Sequence, residues 1–349
     1  MRQHLHPHAP FRIFAFSAVA TIVAVVGVLI GKGLEAMFLT LVLVAVELAF
    51  SFDNAIVNAK ILKHMSRFWQ TMFLTIGAAL AIFGMRLVFP VVLVVLTAGL
   101  GWREVMDLAL NHPDIYAQKL SESHIQLSAF AGAFLLMLSL HFFMDDRREV
   151  LWLKEVEGQM QRFAYTWFPG LLTLVIMAGA AALPFNHAAQ QTLVAGFLGV
   201  ATYAAIHLLS ESLGKVQGRG VSKGVKTGLA GFISFIYLQV LDSSFSFDGV
   251  LGAFAVTNDV ILIAIGLGVG ALWVRSLTVF MVRRGTLDSY RYIEHGAYYT
   301  IAVLAVILLV SIFVNVPEII AGLLGVGIIG SSIVASRQAM VAHRRSGAN

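Results

Sequence analysis

The sequence predicts an all-α, polytopic transmembrane helix bundle of about ten spans with an inverted internal repeat. Three observations carry that reading: a composition suited to hydrocarbon, a series of span-length apolar stretches whose loops alternate in basic charge, and an acidic motif that occurs twice. Of 349 residues, 58% are hydrophobic and 12% charged, and mean hydropathy is +0.84; a soluble domain carries about 25% charged residues. No stretch reads as a water-soluble core, so 1–349 is taken as a single membrane domain. The absence of cysteine excludes disulfides and thiolate metal sites, leaving oxygen or imidazole for any metal. The net charge of +5 comes from basic residues in short loops between apolar runs. That is the pattern of membrane topology, not of nucleic-acid binding.

Stretches long enough to cross about 30 Å of hydrocarbon as helices lie near residues 11–31, 37–59, 70–98, 125–144 and 167–185, then 189–211, 228–257, 260–282, 296–315 and 318–336. The first is too long for a signal peptide and meets no small-residue cleavage site before Lys32, so it reads as a span. Basic residues gather at the N-terminus (Arg2, Arg12) and in alternate loops: Lys60, Lys63 and Arg67; Arg147, Arg148, Lys154 and Arg162; Lys215, Arg219, Lys223 and Lys226; Arg283, Arg284 and Arg291. Arg337, Arg344 and Arg345 add to the C-terminus, and the intervening loops hold few. By the positive-inside rule both termini are cytoplasmic. The 99–124 segment, with Glu104, Asp107, Asp114 and Glu122, is expected as a solvated acidic loop on the opposite side.

The second span reads Glu47-Leu48-Ala49-Phe50-Ser51-Phe52-Asp53-Asn54 and the seventh Asp242-Ser243-Ser244-Phe245-Ser246-Phe247-Asp248-Gly249. Phe-Ser-Phe-Asp recurs, each time with a second acid six residues before the aspartate, and each copy is followed by a span carrying an arginine, Arg86 or Arg275. Five spans separate equivalent positions, so the copies (37–144 and 228–315) cross in opposite senses, an inverted repeat.

A charge at mid-helix costs roughly 2.5–3.5 kcal/mol on insertion scales, so these groups need compensation. Arg86 and Arg275 are charge-balancing candidates, and four acids against two arginines leave a formal minus two, matching one divalent cation. Glu47, Asp53, Asp242 and Asp248 are thus candidate metal ligands, with Ser51, Asn54, Gln239 and Ser246 as supporting polar ligands and Ser243, Ser244 and Asn58 as further oxygen sources. Such hard donors suit manganese, magnesium or calcium. Six residues of regular helix turn about 600° and rise about 9 Å, so the two acids of one motif share a ligand sphere only if the helix breaks near Ser51; otherwise each meets its counterpart across the repeat axis. Gly249 would permit a break in the second copy. The competing reading is a structural lattice of ion pairs that fixes helix register. His141 with Asp145 and Asp146 forms a candidate cation-entrance site or proton relay, against an interfacial cap beside Arg147 and Arg148. No His-Glu-x-x-His motif and no nucleophile with a suitably spaced base is present, so no enzyme is expected.

The segments Phe50-Ser51-Phe52-Asp53-Asn54-Ala55 with Glu47 upstream, the Asp242 to Asp248 copy, and Ala271-Leu272-Trp273-Val274-Arg275 resemble the tellurium-resistance TerC family. His141-Phe142-Phe143-Met144-Asp145-Asp146 and Glu294-His295-Gly296-Ala297 resemble its DUF475 branch. The resemblance spans roughly 37–315 and implies a LysE-type exporter fold of the bacterial inner membrane. It further implies an exporter of Mn2+ whose acids in the two motif helices bind the ion, with no permanently bound cofactor. Gln239 stands where some relatives carry another acid. The alternative is a non-transporting membrane scaffold of a tellurite or metal-stress resistance system.

Overall fold

The computed structural model describes residues 10–217, 225–314 and 316–346. Among them there is no β-strand, and eight helices are long and apolar enough to cross a membrane. The protein is an all-α, multi-pass membrane bundle. In a bilayer every backbone amide and carbonyl must be satisfied within the segment, which is why apolar stretches of this length fold as helices.

The first two expected spans form one element, α1 (Pro10–Phe50), interrupted at Gly33 by a non-helical backbone with φ 88° and ψ −175°. Contacts with α13 (Val260–Arg284) give the geometry of that interruption. On the first limb Ser17 bonds Leu272 O at 3.0 Å and Ser276 Oγ at 2.7 Å, and Lys32 pairs with Asp259 just before α13. On the second limb Leu43 packs at Gly266 and Glu47 at Gly270. Numbering on α13 falls along the first limb and rises along the second, so the chain reverses at Gly33 and α1 is a helical hairpin clasping α13. The limbs, about 34 and 25 Å long, account for two separate crossings.

The helices that carry the first acid and the first arginine are both discontinuous. Ser51 (φ −100°, ψ 17°) breaks α1 from α2 (Phe52–Leu62). The expected 70–98 span consists of α3 (Arg67–Leu74), a turn at Thr75 (φ −103°, ψ −79°), α4 (Ile76–Ala79), a π-helical segment (Leu80–Val88) and α5 (Phe89–Ala98). By contrast α12 (Gly228–Val256) runs unbroken through Asp242 to Gly249. The copy in which Asn54 follows the aspartate is interrupted, and the copy in which Gly249 follows it is not.

The 99–124 segment departs from expectation. It folds as α6 (Trp102–Asn111) and α7 (Pro113–Glu122), which bury Val105, Ala109, Tyr116 and Leu120 against Val91, Val94, Val250 and Ile263. Each apolar pair is spaced four residues apart, one helical face, and it outweighs the surrounding polar residues. At the centre lies α8 (His124–Phe143), apolar and buried all round. It is enclosed by α10 (Phe168–Ala182), α11 (Ala189–Gln217) and α15 (Ile293–Ser311). Gly132 meets the Leu309 side chain, and Gly199 meets the Phe130 carbonyl so closely that any Cβ there would force the helices apart. The last helix, α16 (Glu318–Ser346), lies along α15 through Ser332 at Gly296 and Thr300 at Gly325. A short α9 (Lys154–Gln161) fills the α8–α10 connection.

Candidate metal-cation site

Each motif's first acid is held by the arginine of the span that follows it. Glu47, near the end of the α1 hairpin, accepts from Arg86 Nη2 at 2.5 Å through Oε1, which also accepts from the Ser51 hydroxyl at 3.0 Å. Asp242 accepts from Arg275 Nη2 at 2.6 Å through Oδ2. Both guanidiniums keep a second anchor on the discontinuous span. Arg86 Nη1 donates to Ala81 O in the π segment at 2.7 Å, and Arg275 Nη1 donates to Phe73 O at 2.7 Å, its plane 4.2 Å from the Phe73 ring. Phe73 sits in the last turn of α3, where carbonyls lack intrahelical partners. The break supplies the acceptor that the arginine uses.

One side chain ties the two motifs together from each of two turns of α2. Asn54 Nδ2 and Asn58 Nδ2 donate to Asp242 Oδ1 at 3.0 and 2.7 Å. Their carbonyl oxygens, Asn54 Oδ1 and Asn58 Oδ1, are buried and accept no hydrogen bond among the described residues, and Arg86 Nε is a buried donor in the same position.

Asp53 differs from the other acids. It is 3% exposed, and among the described residues no cation or side-chain donor meets it; it sits in the first turn of α2. A helix N-terminus is the place where a carboxylate costs least. Asp53 lines a cavity of about 50 Å³ together with Glu47, Ser51, Gly249, Thr300 and Gly325. Glu47 Oε2 points the same way: a Cβ on Gly249 would stand 3.5 Å from it. A second cavity, of about 20 Å³, lies between the two ion pairs, lined by Glu47, Ser51, Asn54, Asn58, Asp242 and both arginines. Glu47 and Ser51 face both cavities.

The three candidate acids whose side chains are described are therefore divided. Glu47 shares one cavity with Asp53 and the other with Asp242, and among the described residues no three acidic, histidine or cysteine groups converge on one point. The side chains of Asp248 and Ser246 lie outside the described residues, although their backbone is part of α12. Gln239 lines neither cavity; its amide nitrogen faces Gly77, beside the Arg275 guanidinium. His141, Asp145 and Asp146 line neither cavity. His141 stacks edge-on with His207 at 4.1 Å, and Asp145 accepts from Arg147 Nε at 2.9 Å. Burial, the largest influence, raises the Asp145 pKa, but Arg147 and the nearby His141 outweigh it and hold the carboxyl below its ordinary value.

Two features were not legible as functional. Thr300, Gly322 and Gly325 reach the larger cavity from α15 and α16, the latter outside the two motif-bearing stretches; small residues on a terminal helix were the sole signal. Glu157, on α9, is fully buried and accepts from the Trp152 and Leu153 amides (3.2 and 3.1 Å), from Arg148 (3.4 Å) and from the Tyr299 hydroxyl (3.3 Å). It closes the α8–α10 connection onto α15. Nothing in its local sequence separates it from Glu155.

The sequence model of one family, DUF475, described as a protein of unknown function, matches residues 52–345. No curated protein and no solved structure matches the chain.

Proposed function

The chain belongs to the DUF475 family, and on the chemistry of its buried site we propose that it is a secondary transporter exporting a divalent metal cation, Mn2+, through the acidic cavities between its motif helices. The observation that carries this reading is Asp53: a carboxylate buried inside the bundle, without a counter-ion among the described residues, on a cavity it shares with Glu47. An unpaired buried charge is strongly unfavourable, and a protein retains one where an ion or proton comes and goes. The accessible donors are carboxylate, hydroxyl and amide oxygens, which suit hard cations such as Mn2+, Mg2+ and Ca2+. The motifs' likeness to the TerC family selects Mn2+ among them and gives the outward direction.

In this reading the two motif-bearing halves are inverted repeats that rock about the site, and protonation of Asp53 on the outer side weakens metal binding and releases the ion. The setting is the bacterial inner membrane with both termini cytoplasmic. A second reading, a non-transporting scaffold of a metal-stress system, is favoured by the Glu47–Arg86 and Asp242–Arg275 pairs, which would serve as register locks. The two readings divide at Asp53, which no lattice uses.

The test is Mn2+ efflux from loaded proteoliposomes. Asp53→Asn and Asp248→Asn each abolish efflux while protein abundance and thermal stability stay at the unsubstituted level. Unchanged efflux in both variants ends the transport reading.

A further inference from the structure

We propose that the smaller cavity is a second cation station, which Arg86 and Arg275 hold closed by occupying one carboxylate each in place of the ion. This rests on the transport reading above and adds a device to it.

The donor set is complete except for charge. Glu47 and Asp242 bring carboxylates, and Asn54 Oδ1 and Asn58 Oδ1 are buried acceptors with no partner among the described residues. Both asparagines line the gap and their nitrogens already donate to Asp242 Oδ1, so the carbonyl oxygens are the amide atoms left to bind an ion. The volume, about 20 Å³, admits one water-sized sphere and hence a bare divalent cation. What forbids the ion is balance: two carboxylates meet two guanidiniums, and the station is neutral. Withdrawal of one guanidinium makes it an anionic, all-oxygen site of the kind that hard cations take.

Each arginine has somewhere to go. Arg275 holds the Phe73 carbonyl and lies on the Phe73 ring, and Arg86 holds the Ala81 carbonyl. Both footholds belong to the broken span, so a guanidinium that leaves its carboxylate keeps a hydrogen-bond acceptor. Gly77 lets the Gln239 amide and the Arg275 guanidinium approach α4 closely, since a Cβ there would stand 2.9 Å from Gln239 Nε2 and 3.0 Å from Arg275 Nη1. Glu47 and Ser51, common to both cavities, form the passage from the Asp53 station. The cargo enters as the guanidinium withdraws, and the returning guanidinium expels it.

The experiment counts Mn2+ bound per chain by equilibrium titration of the purified full-length protein. The unsubstituted protein binds one ion. Arg275→Ala binds two, because its station carries a net negative charge. Millimolar guanidinium chloride then refills the vacated place and weakens the second ion by about tenfold, leaving the first unaffected. The paired variant Asp242→Asn/Arg275→Ala, neutral again, binds one ion and ignores guanidinium. If Arg275→Ala is unstable alone it is prepared in guanidinium, and the count is taken as Mn2+ displaces it. A single, guanidinium-insensitive ion in Arg275→Ala overturns the masked station. Failure of the unsubstituted protein to bind any Mn2+ instead overturns the transport reading itself.

Discussion

Gly270→Ala tests whether the site depends on how closely the α1 hairpin clasps α13. A Cβ at Gly270 would lie 2.5 Å from Glu47 Cβ, 2.6 Å from its Cγ and 3.2 Å from the Val44 carbonyl, whereas carbon atoms sit comfortably at about 3.5–4.0 Å. Neither Cβ can swing away, and Val44 O is backbone, so the second limb must move outward by about 1 Å. Overpacking of this kind costs about 1–3 kcal/mol. The same displacement stretches the 2.5 Å Glu47–Arg86 bond beyond hydrogen-bonding distance. Since 1.4 kcal/mol is a factor of ten, the present arrangement becomes roughly 5- to 150-fold less populated. The assays are the thermal unfolding midpoint in detergent and Mn2+ efflux on the same preparation, with Gly27→Ala as control. Gly27 lies in the first limb with nothing within 4 Å of its Cβ position, and alanine there stabilises by about 0.5–1 kcal/mol through helix propensity. Gly270→Ala should lower both the midpoint and the efflux rate. If it behaves like Gly27→Ala, the close approach of Glu47 to α13 is refuted.

Two predictions address the hairpin turn. Gly33→Ala meets no atom within 4 Å, yet φ 88° with ψ −175° is a region open essentially to glycine alone, so the substitution should cost about 1–3 kcal/mol, read as a lowered unfolding midpoint with no change in the pH dependence of unfolding. The Lys32–Asp259 pair beside the turn should give a pH-dependent contribution. Burial, the largest influence, raises the Asp259 pKa, but Lys32 and the Leu262 and Ile261 amides together hold it below the ordinary 3.8. A depressed folded-state pKa means the stabilisation is complete above 3.8 and is lost as pH falls through the lower, folded value. Asp259→Asn keeps a capping side chain, so its midpoint deficit should be constant from neutral pH down to about 5 and vanish in stronger acid; a deficit that persists there would contradict the pairing.

Of the ten expected spans the structure holds eight long apolar helices among the described residues, with 167–185 reduced to the shorter α10; these and the acid-to-arginine order were legible because both are one-dimensional. Apolar runs of span length admit few structures in lipid, and each arginine follows its acid by one span in sequence as it does in contact. The interruptions were less legible. Lys32-Gly33 reads as any short loop, and only the contacts of Ser17 and Glu47 with opposite ends of α13 make it a reversal. The 99–124 helices hid behind their acidic surface, although Val105 with Ala109 and Tyr116 with Leu120 already stood at helical spacing. The break at Ser51 and the continuity at Gly249 ran against composition. At Gly249 the helix continues, and a Cβ there would meet Glu47 Oε2 at an ordinary contact distance of 3.5 Å. Identical Phe-Ser-Phe-Asp tetrapeptides thus sit in different backbones, because their neighbours in space differ.

That difference bears on which acids can exchange an ion. A register lattice requires each buried charge to have a fixed partner, and Glu47 and Asp242 meet that requirement through Arg86 and Arg275. Asp53 does not. It follows Glu47 by six residues, and on an unbroken helix it would point about 600° around and about 9 Å further along. The interruption at Ser51 places both carboxylates on one cavity and sets Asp53 in the first turn of α2, where the helix terminus moderates the cost of keeping it charged without tying it to a cation. A helix terminus supports a carboxylate in either protonation state, whereas a guanidinium selects the charged one. The same six-residue spacing therefore yields one acid committed to an arginine and one with no ion pair among the described residues, the division of roles that the proposed exchange of a proton for a metal ion would use.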